Sequence, residues 1–231
     1  HMTFNKIFQK LCICFSMILF SNFIAFAENF DAGNTSSFES ALSKANAQPE
    51  QQHTININGD ISLDSSISEA ISLELTGSNS ENHYNFALNG HTFTYDGADK
   101  SSEISNLNIL TDVKGSVITI KNQQFTVSNT NFTGSTSIKN DISAITNNGG
   151  DLYISNSAFT KNSSGLTSGA INNTGNGSLR ISDSLISENY GFNGGAFYQN
   201  NGNTVITNTK ISDNSASRLG GAIFVNDGSL N

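Results

Sequence analysis

A fixed interval of 26 residues in the second half of the chain constrains the fold more than any other feature. Four small-residue dipeptides recur at this interval, namely Ser143-Ala144, Gly169-Ala170, Gly195-Ala196 and Gly221-Ala222. A large apolar residue follows each of them, in order Ile145, Ile171, Phe197 and Ile223. A constant period of this size indicates a solenoid, in which each repeat stacks on the one before it.

A second pattern lies between the dipeptides and keeps the same phase. Its clearest copies are residues 152–162, 179–189 and 204–214. The equivalent positions of these copies form three columns, which are Ile154, Ile181 and Ile206, then Phe159, Ile186 and Ile211, and finally Asn162, Asn189 and Asn214. Looser copies occur at 104–109 and 127–132.

The residue types indicate strands rather than helices. Apolar residues alternate in short runs rich in Ile, Val, Thr and Phe, and Asn, Gly, Ser or Asp interrupts each run. Parallel stacking would place equivalent residues about 4.8 Å apart, so that like side chains touch. We therefore expect an all-β, right-handed parallel β-helix over residues 54–231, with roughly seven coils, apolar ladders and an Asn ladder.

The first part of the mature chain has a different pattern. Phe38, Leu42 and Ala45 have helical spacing, Ser37 is a candidate cap, and Pro49 follows the segment. We expect a short helix at about 37–47, within a cap region of residues 28–53. Its expected role is to cover the open apolar end of the first coil, because an uncovered strand edge promotes aggregation.

The N-terminus has the features of an export signal. Lys6 and Lys10 precede an apolar stretch at 11–26, and Ala27 completes a small-x-small cleavage site. Residues 1–27 are therefore interpreted as a cloning remnant, His1, followed by a signal peptide. A membrane anchor is the alternative, although the stretch is short for a span and no basic stop signal follows it.

Composition narrows the classes of partner and chemistry. Cys12 and Cys14 are the two cysteines and both lie in the predicted signal, so the mature chain would have no thiol for a disulfide, zinc ion or nucleophile. Removal of the signal leaves nine basic and 19 acidic residues, a formal charge of −10. Nucleic acid and anionic membranes are therefore not expected partners.

The repeats resemble those of the polymorphic outer-membrane proteins of chlamydia-like autotransporters, which are parallel β-helix passengers. That family repeats Gly-Gly-Ala-Ile/Leu/Val and Phe-x-x-Asn. The second motif is strict at 159–162, and Ile replaces Phe at 186–189 and 211–214. The first motif corresponds to Gly169, Ala170 and Ile171, to Gly194, Gly195, Ala196 and Phe197, and to Gly220, Gly221, Ala222 and Ile223.

The resemblance implies a passenger domain displayed on, or released from, the surface of a Gram-negative-type bacterium. Its implied role is adhesion to a host-cell or matrix protein or to a surface glycan, without a cofactor. The family's C-terminal membrane barrel does not follow here, so we expect a chain truncated at its C-terminus. A purely structural spacer is another hypothesis. Gly221→Val tests the turn of the last copy: if that turn needs a bare backbone, stability should fall by more than about 1 kcal/mol, whereas a loop glycine would tolerate the side chain.

Parallel β-helices also include glycan-cleaving enzymes, so a glycoside hydrolase or polysaccharide lyase is the alternative. Glu188 and Asp213 occupy one column, which would place their carboxylates about 5 Å apart, as in retaining glycosidases. Lys161 occupies the same column. Since this place in the repeat should face outward, we interpret the column as a solvated row of charges.

No other residues form a pattern typical of catalysis or metal binding. Asp183 has Asn156 and Asn208 as its column neighbours, so it has no second acidic residue beside it. A polysaccharide lyase needs a basic residue beside an acidic cluster, and the only arginines are Arg180 and Arg218. The histidines of the mature chain, which are His53, His83 and His91, do not have metal-ligand spacing. We therefore assign no catalytic, metal or cofactor residue.

Overall fold

The chain forms a parallel β-solenoid of about eight turns with one short helix near its N-terminus. The computed structural model describes residues 27–137 and 140–231. The predicted fold class is thus confirmed, with one turn more than expected. Strand β1 (Asn29–Ala32) accounts for the difference, because it pairs in parallel with β2 (Gln52–Ile57) and so starts the stack before residue 54.

The strands form three faces, and each coil after the first contributes to all of them. Face A contains β1, β2, β5 (Ser72–Gly77), β8 (Ser101–Ser105), β11 (Gln124–Ser128), β14 (Asp151–Ser155), β17 (Ser178–Ser182) and the second half of β20 (Phe197–Thr207). Face B contains β3 (Ile61–Ser62), β6 (Tyr84–Ala87), β9 (Leu107–Leu110), β12 (Asn131–Thr133), β15 (Ala158–Thr160), β18 (Leu185–Ser187) and β21 (Lys210–Ser212). Face C contains β4 (Ile67–Glu69), β7 (Thr92–Asp96), β10 (Val117–Lys121), β13 (Ile145–Asn148), β16 (Ile171–Thr174) and the first half of β20.

Three further strands complete the last coils. β19 (Tyr190–Asn193) and β22 (Ser215–Leu219) form a two-stranded sheet between faces B and C. β23 (Ile223–Leu230) pairs with β20. Strand β20 turns from face C to face A at Asn201 and Gly202, whose φ angles are 77° and 82°.

The register agrees with the columns predicted from the repeat. Ile154 pairs with Ile181, and Ile181 pairs with Ile206. On face B, the rings of Phe132 and Phe159 stack with their centroids 4.5 Å apart and their planes 6° apart. Each such side chain, once fully buried, contributes about 1.5–3 kcal/mol of hydrophobic stabilisation. Stacked apolar columns therefore form the core along the whole solenoid.

Asparagine and aspartate recur at the corner between faces A and B because the backbone is left-handed there. The five residues of this column have φ angles from 42° to 56°, and they are Asn106, Asn129, Asn156, Asp183 and Asn208. Asn and Asp tolerate this conformation better than other residues with a side chain. The short turn thus explains why Asn or Asp follows each face A strand from β8 to β20.

The N-terminal helix, α1 (Thr35–Asn46), begins two residues before the predicted start. Asn34 is the N-cap, and its side chain accepts a hydrogen bond from the backbone N–H of Ser37 at 2.9 Å. Ser37 is therefore the third residue of the helix rather than its cap. Phe38 is fully buried, and its ring meets that of Phe86 edge to face at 5.2 Å. The helix thus packs against the apolar interior, as expected of a cap.

Candidate functional site

The Gly-Gly-Ala-Ile motifs lie where the chain enters face C, and most of their apolar side chains point into the core. The fully buried ones are Ala170, Ile171, Ala196 and Phe197, whereas Ala222 and Ile223 in the last coil are half-buried. A Cβ atom added at Gly169 would lie 2.7 Å from the carbonyl oxygen of Gly195. The motif therefore shapes a tight corner of the solenoid.

The glycines of the last two copies have different surroundings. A Cβ atom added at Gly195 would lie 2.4 Å from the carbonyl oxygen of Ser215, whereas one at Gly221 would meet nothing within 4 Å. Of the two alternatives for Gly221, the structure therefore favours the loop glycine that tolerates a side chain, because no neighbouring segment approaches it. Gly194 and Gly220 have φ angles of 69° and 66°, a region that favours glycine.

The Phe-x-x-Asn motifs supply the core and an amide ladder at the end of face B. Phe159 and Ile186 are fully buried, and Ile211 in the last coil is half-buried. The three closing residues are linked by hydrogen bonds through their side chains, and they are Asn162, Asn189 and Asn214. The apolar residues of the motif thus pack in the core, and its asparagines join successive coils.

A second amide ladder, inside face C, was missed by the sequence analysis. Nδ2 of Asn147 donates to Oδ1 of Asn173 at 2.9 Å, and Gln199 is the next residue of the same column. All three side chains are fully buried. Their signal in the sequence is an amide two positions after the large apolar residue in three of the four motif copies, whereas Val225 takes this place in the last copy.

The structure brings Glu188 and Asp213 together, as their column predicted. Both line an open groove of about 420 Å³ with Thr136, Tyr190 and Ser215. Both are exposed and have left-handed φ angles of 58° and 57°. Two carboxylates beside a hydroxyl-lined groove are the arrangement that a glycosidase needs, so this groove is where the enzyme alternative can be tested.

The remaining titratable candidates lie apart from one another. The carboxylate of Asp183 accepts a hydrogen bond from the side-chain amide of Asn208. His53 is fully buried, with Nε2 2.9 Å from the carbonyl oxygen of Gln48, and His83 lies with Nε2 3.2 Å from that of Ser80. Within residues 27–137 and 140–231, no three His, Cys, Asp or Glu side chains are placed to hold a metal ion.

The predicted signal peptide lies outside the described residues, except for Ala27. Ala27 and Glu28, on either side of the predicted cleavage site, are exposed and precede β1. In the part of the chain that the structure describes, no helix is both long enough and apolar enough to cross a membrane.

The outer surface of face A carries a group of side chains that the sequence analysis did not single out. Tyr153 pairs with Arg180, and Arg180 pairs with Val205, so these three outward residues lie on successive coils. We call them the face A strip. They line a shallow hollow of about 340 Å³, together with Ser155, Ser182 and Thr207.

The strip differs from the rest of face A in its chemistry. Below Tyr153, the same outward column continues with Thr126, Glu103 and Glu74. Tyr153 is 37% exposed, one of the few large apolar side chains with so much exposure. An exposed aromatic ring beside an arginine can bind a ligand with a flat apolar surface and a negative charge.

Comparisons with known proteins identify no relative. No family model matches the chain, and no similar protein was found among curated sequences or among solved structures. The autotransporter resemblance therefore depends on the repeat motifs and on the solenoid fold.

Proposed function

We propose that the chain is an exported, non-catalytic surface protein, a passenger-type β-helix that acts as an adhesin or an extended display stalk. One observation carries this proposal. The side chains that define the repeat lie in the core, at the corners and in the ladders. The fold therefore does not fix the outward side chains, which differ from coil to coil. A solenoid of this kind can vary its contact surface without a change in its fold.

The proposed setting is the surface of a Gram-negative-type bacterium. The predicted signal would direct export from the cytoplasm, and a mature chain without cysteine would fold outside it without disulfide formation. The proposed partner is a host-cell or matrix protein or a surface glycan. Extended solenoid surfaces are typical binding surfaces for such partners.

The test is binding of the purified chain to cultured host cells and to immobilised matrix proteins. We expect saturable binding that unlabelled chain competes away. Binding that rises linearly with concentration on every surface would favour the structural spacer instead and would contradict an adhesive role.

The enzyme alternative has one specific observation in its favour, the groove that contains Glu188 and Asp213. Two observations oppose it. Both carboxylates are exposed, and Lys161 continues the same outward column on the preceding coil. Incubation with a glycan library should therefore yield no cleavage products. Cleavage that disappears in Glu188→Gln would overturn the non-catalytic assignment.

A further inference from the structure

The guanidinium of Arg180 has no partner within the described part of the chain. Three ion pairs occur there, and each joins a lysine to a carboxylate. Two acidic residues that adjoin the strip in sequence or register accept hydrogen bonds from other side chains. Asp151, on the flank of the strip, accepts a hydrogen bond from the hydroxyl of Ser178, and Asp183, at the corner, accepts one from Asn208. Arg180 is therefore exposed and free to bind an anion.

Tyr153 provides a second kind of contact next to this charge. Residues paired across parallel strands lie about 4.8 Å apart, so the phenol ring and the guanidinium flank one hollow. Ser155 and Ser182 add hydroxyl groups along one edge. The hollow, about 340 Å³, falls in the range of small-ligand sites, which is about 300–1,000 Å³.

We propose that the face A strip binds a carboxylated sugar, such as a uronic acid unit of a surface glycan. The apolar face of a pyranose ring would lie on the Tyr153 ring, which exposes an apolar body with a polar tip. The sugar carboxylate would accept two hydrogen bonds from the Arg180 guanidinium, whose planar fork matches a carboxylate. The sugar hydroxyls would exchange hydrogen bonds with the serine hydroxyls.

Two other classes of ligand fit the strip less well. An extended peptide commonly binds by adding a strand to a free sheet edge, but β14 and β17 are paired on both sides. Single-stranded nucleic acid needs a positive groove that follows its backbone, whereas the strip has one arginine on an acidic chain. A sugar acid needs one cation and one ring, which is what the strip offers.

This inference rests on the proposed surface function and names the ligand class for it. The test is isothermal titration calorimetry of the full chain with a trimer of galacturonic acid and with its methyl ester. The two probes share their rings and hydroxyls and differ in charge. We expect saturable binding of the acid, and binding of the ester that is weaker by about tenfold or more, because the ester forms no ionic hydrogen bond.

Variants assign the binding to the strip. Arg180→Gln should weaken binding of the acid by about tenfold or more and remove the difference between acid and ester. Tyr153→Thr, which copies Thr126 of the same column, should weaken both probes. Tyr153→Phe should retain binding, since the ring is kept. Because these side chains are exposed, the melting temperature of each variant should match that of the original chain.

Matched controls lie elsewhere on the solenoid. Arg218 is the other arginine and lies over the ring of Phe192 at 5.6 Å. Tyr198 is an outward tyrosine on β20 that stacks on Phe224. Arg218→Gln and Tyr198→Thr should bind the acid trimer as the original chain does.

Several results would overturn the inference. These are the absence of saturable binding, equal affinity for acid and ester, an unchanged affinity in Arg180→Gln, or tetraglutamate binding as tight as that of the sugar acid. Cell binding without sugar binding would contradict the proposal that the face A strip binds a sugar acid, but it would still support the proposed surface function. Sugar binding without saturable cell binding would support the strip and contradict adhesion.

Discussion

The side-chain Nδ2 of Asn162 donates to Oδ1 of Asn189 at 3.0 Å, and the backbone N–H of Asn162 donates to the same oxygen at 2.9 Å. Asn189 repeats this arrangement with Asn214 on the next coil, at 2.9 Å for both bonds. Its Nδ2 also donates to the carbonyl oxygen of Phe159 at 2.9 Å. The buried side-chain amide of Asn189 thus forms hydrogen bonds with polar groups on the preceding coil and on the following coil.

Asn189→Ala should therefore be strongly destabilising. The change removes four hydrogen bonds and leaves the backbone N–H of Asn162 and the carbonyl of Phe159 without these partners in the interior. Each unsatisfied buried group costs about 1–3 kcal/mol, so we expect the free energy of unfolding to fall by about 2–4 kcal/mol. Urea denaturation followed by circular dichroism measures the change.

Asn226→Ala is the matched control for this prediction. Nδ2 of Asn226 also donates across coils, to Oδ1 of Asn200 at 2.8 Å, but both residues are exposed. Water can replace this bond, so the change should stay within about 0.5 kcal/mol. Equal losses in the two variants would show that burial does not determine the strength of the ladder.

Export should remove the predicted signal at one position. Expression with the N-terminus intact in a Gram-negative host should give secreted or periplasmic material whose first residue is Glu28, as determined by N-terminal sequencing. Ala27→Arg replaces the small residue before the cleavage point and should block processing. Material from the original chain that still begins at the initiator methionine would contradict the signal-peptide interpretation.

The fold was predictable because its columns repeat chemically as well as geometrically. Ile154, Ile181 and Ile206 are identical residues at equivalent positions, and they pair as expected. The inner ladder of face C was harder to see. Its column changes from Tyr95 and Ile120 to Asn147. Because the residue type at this buried position is not constant, the sequence pattern does not mark it as buried.

The face A strip was not predictable by the same reasoning. Tyr153 and Arg180 are 27 residues apart and chemically different, so no column of like residues marks them. They lie side by side because of the register between β14 and β17. Turns differ in length by single residues, so the spacing of paired residues departs from the 26-residue period of the motifs. A repeat indicates which side chains face inward, whereas the chemistry of the outer surface depends on the pairing of unlike residues.

Glu69 should make stability depend on pH. Its side chain is 5% exposed, and burial raises the pKa of this carboxyl, although a hydrogen bond with Asn46 partly opposes the shift. The folded chain then holds this proton more tightly than the unfolded chain does, so stability falls as pH rises through the raised pKa. Glu69→Gln should therefore raise the melting temperature more at pH 7 than at pH 4.

Glu81→Gln provides the comparison, because Glu81 is exposed in the loop between β5 and β6. Its melting temperature should follow that of the original chain at both pH values. A Glu69→Gln curve parallel to that of the original chain from pH 4 to pH 8 would mean that burial of this carboxyl does not affect folding.

Gly195 and Gly221 occupy equivalent positions on adjacent coils, yet alanine should be tolerated at only one of them. At Gly195 the added Cβ would lie 2.4 Å from the carbonyl oxygen and 2.5 Å from the nitrogen of Ser215, so the backbone must shift. Overpacking of this kind costs about 1–3 kcal/mol, whereas Gly221→Ala should change stability by less than about 0.5 kcal/mol. Neither glycine has a left-handed φ, so the two variants compare space alone. Thermal denaturation of both measures the difference, and equal melting temperatures would contradict the close approach of Ser215 to Gly195.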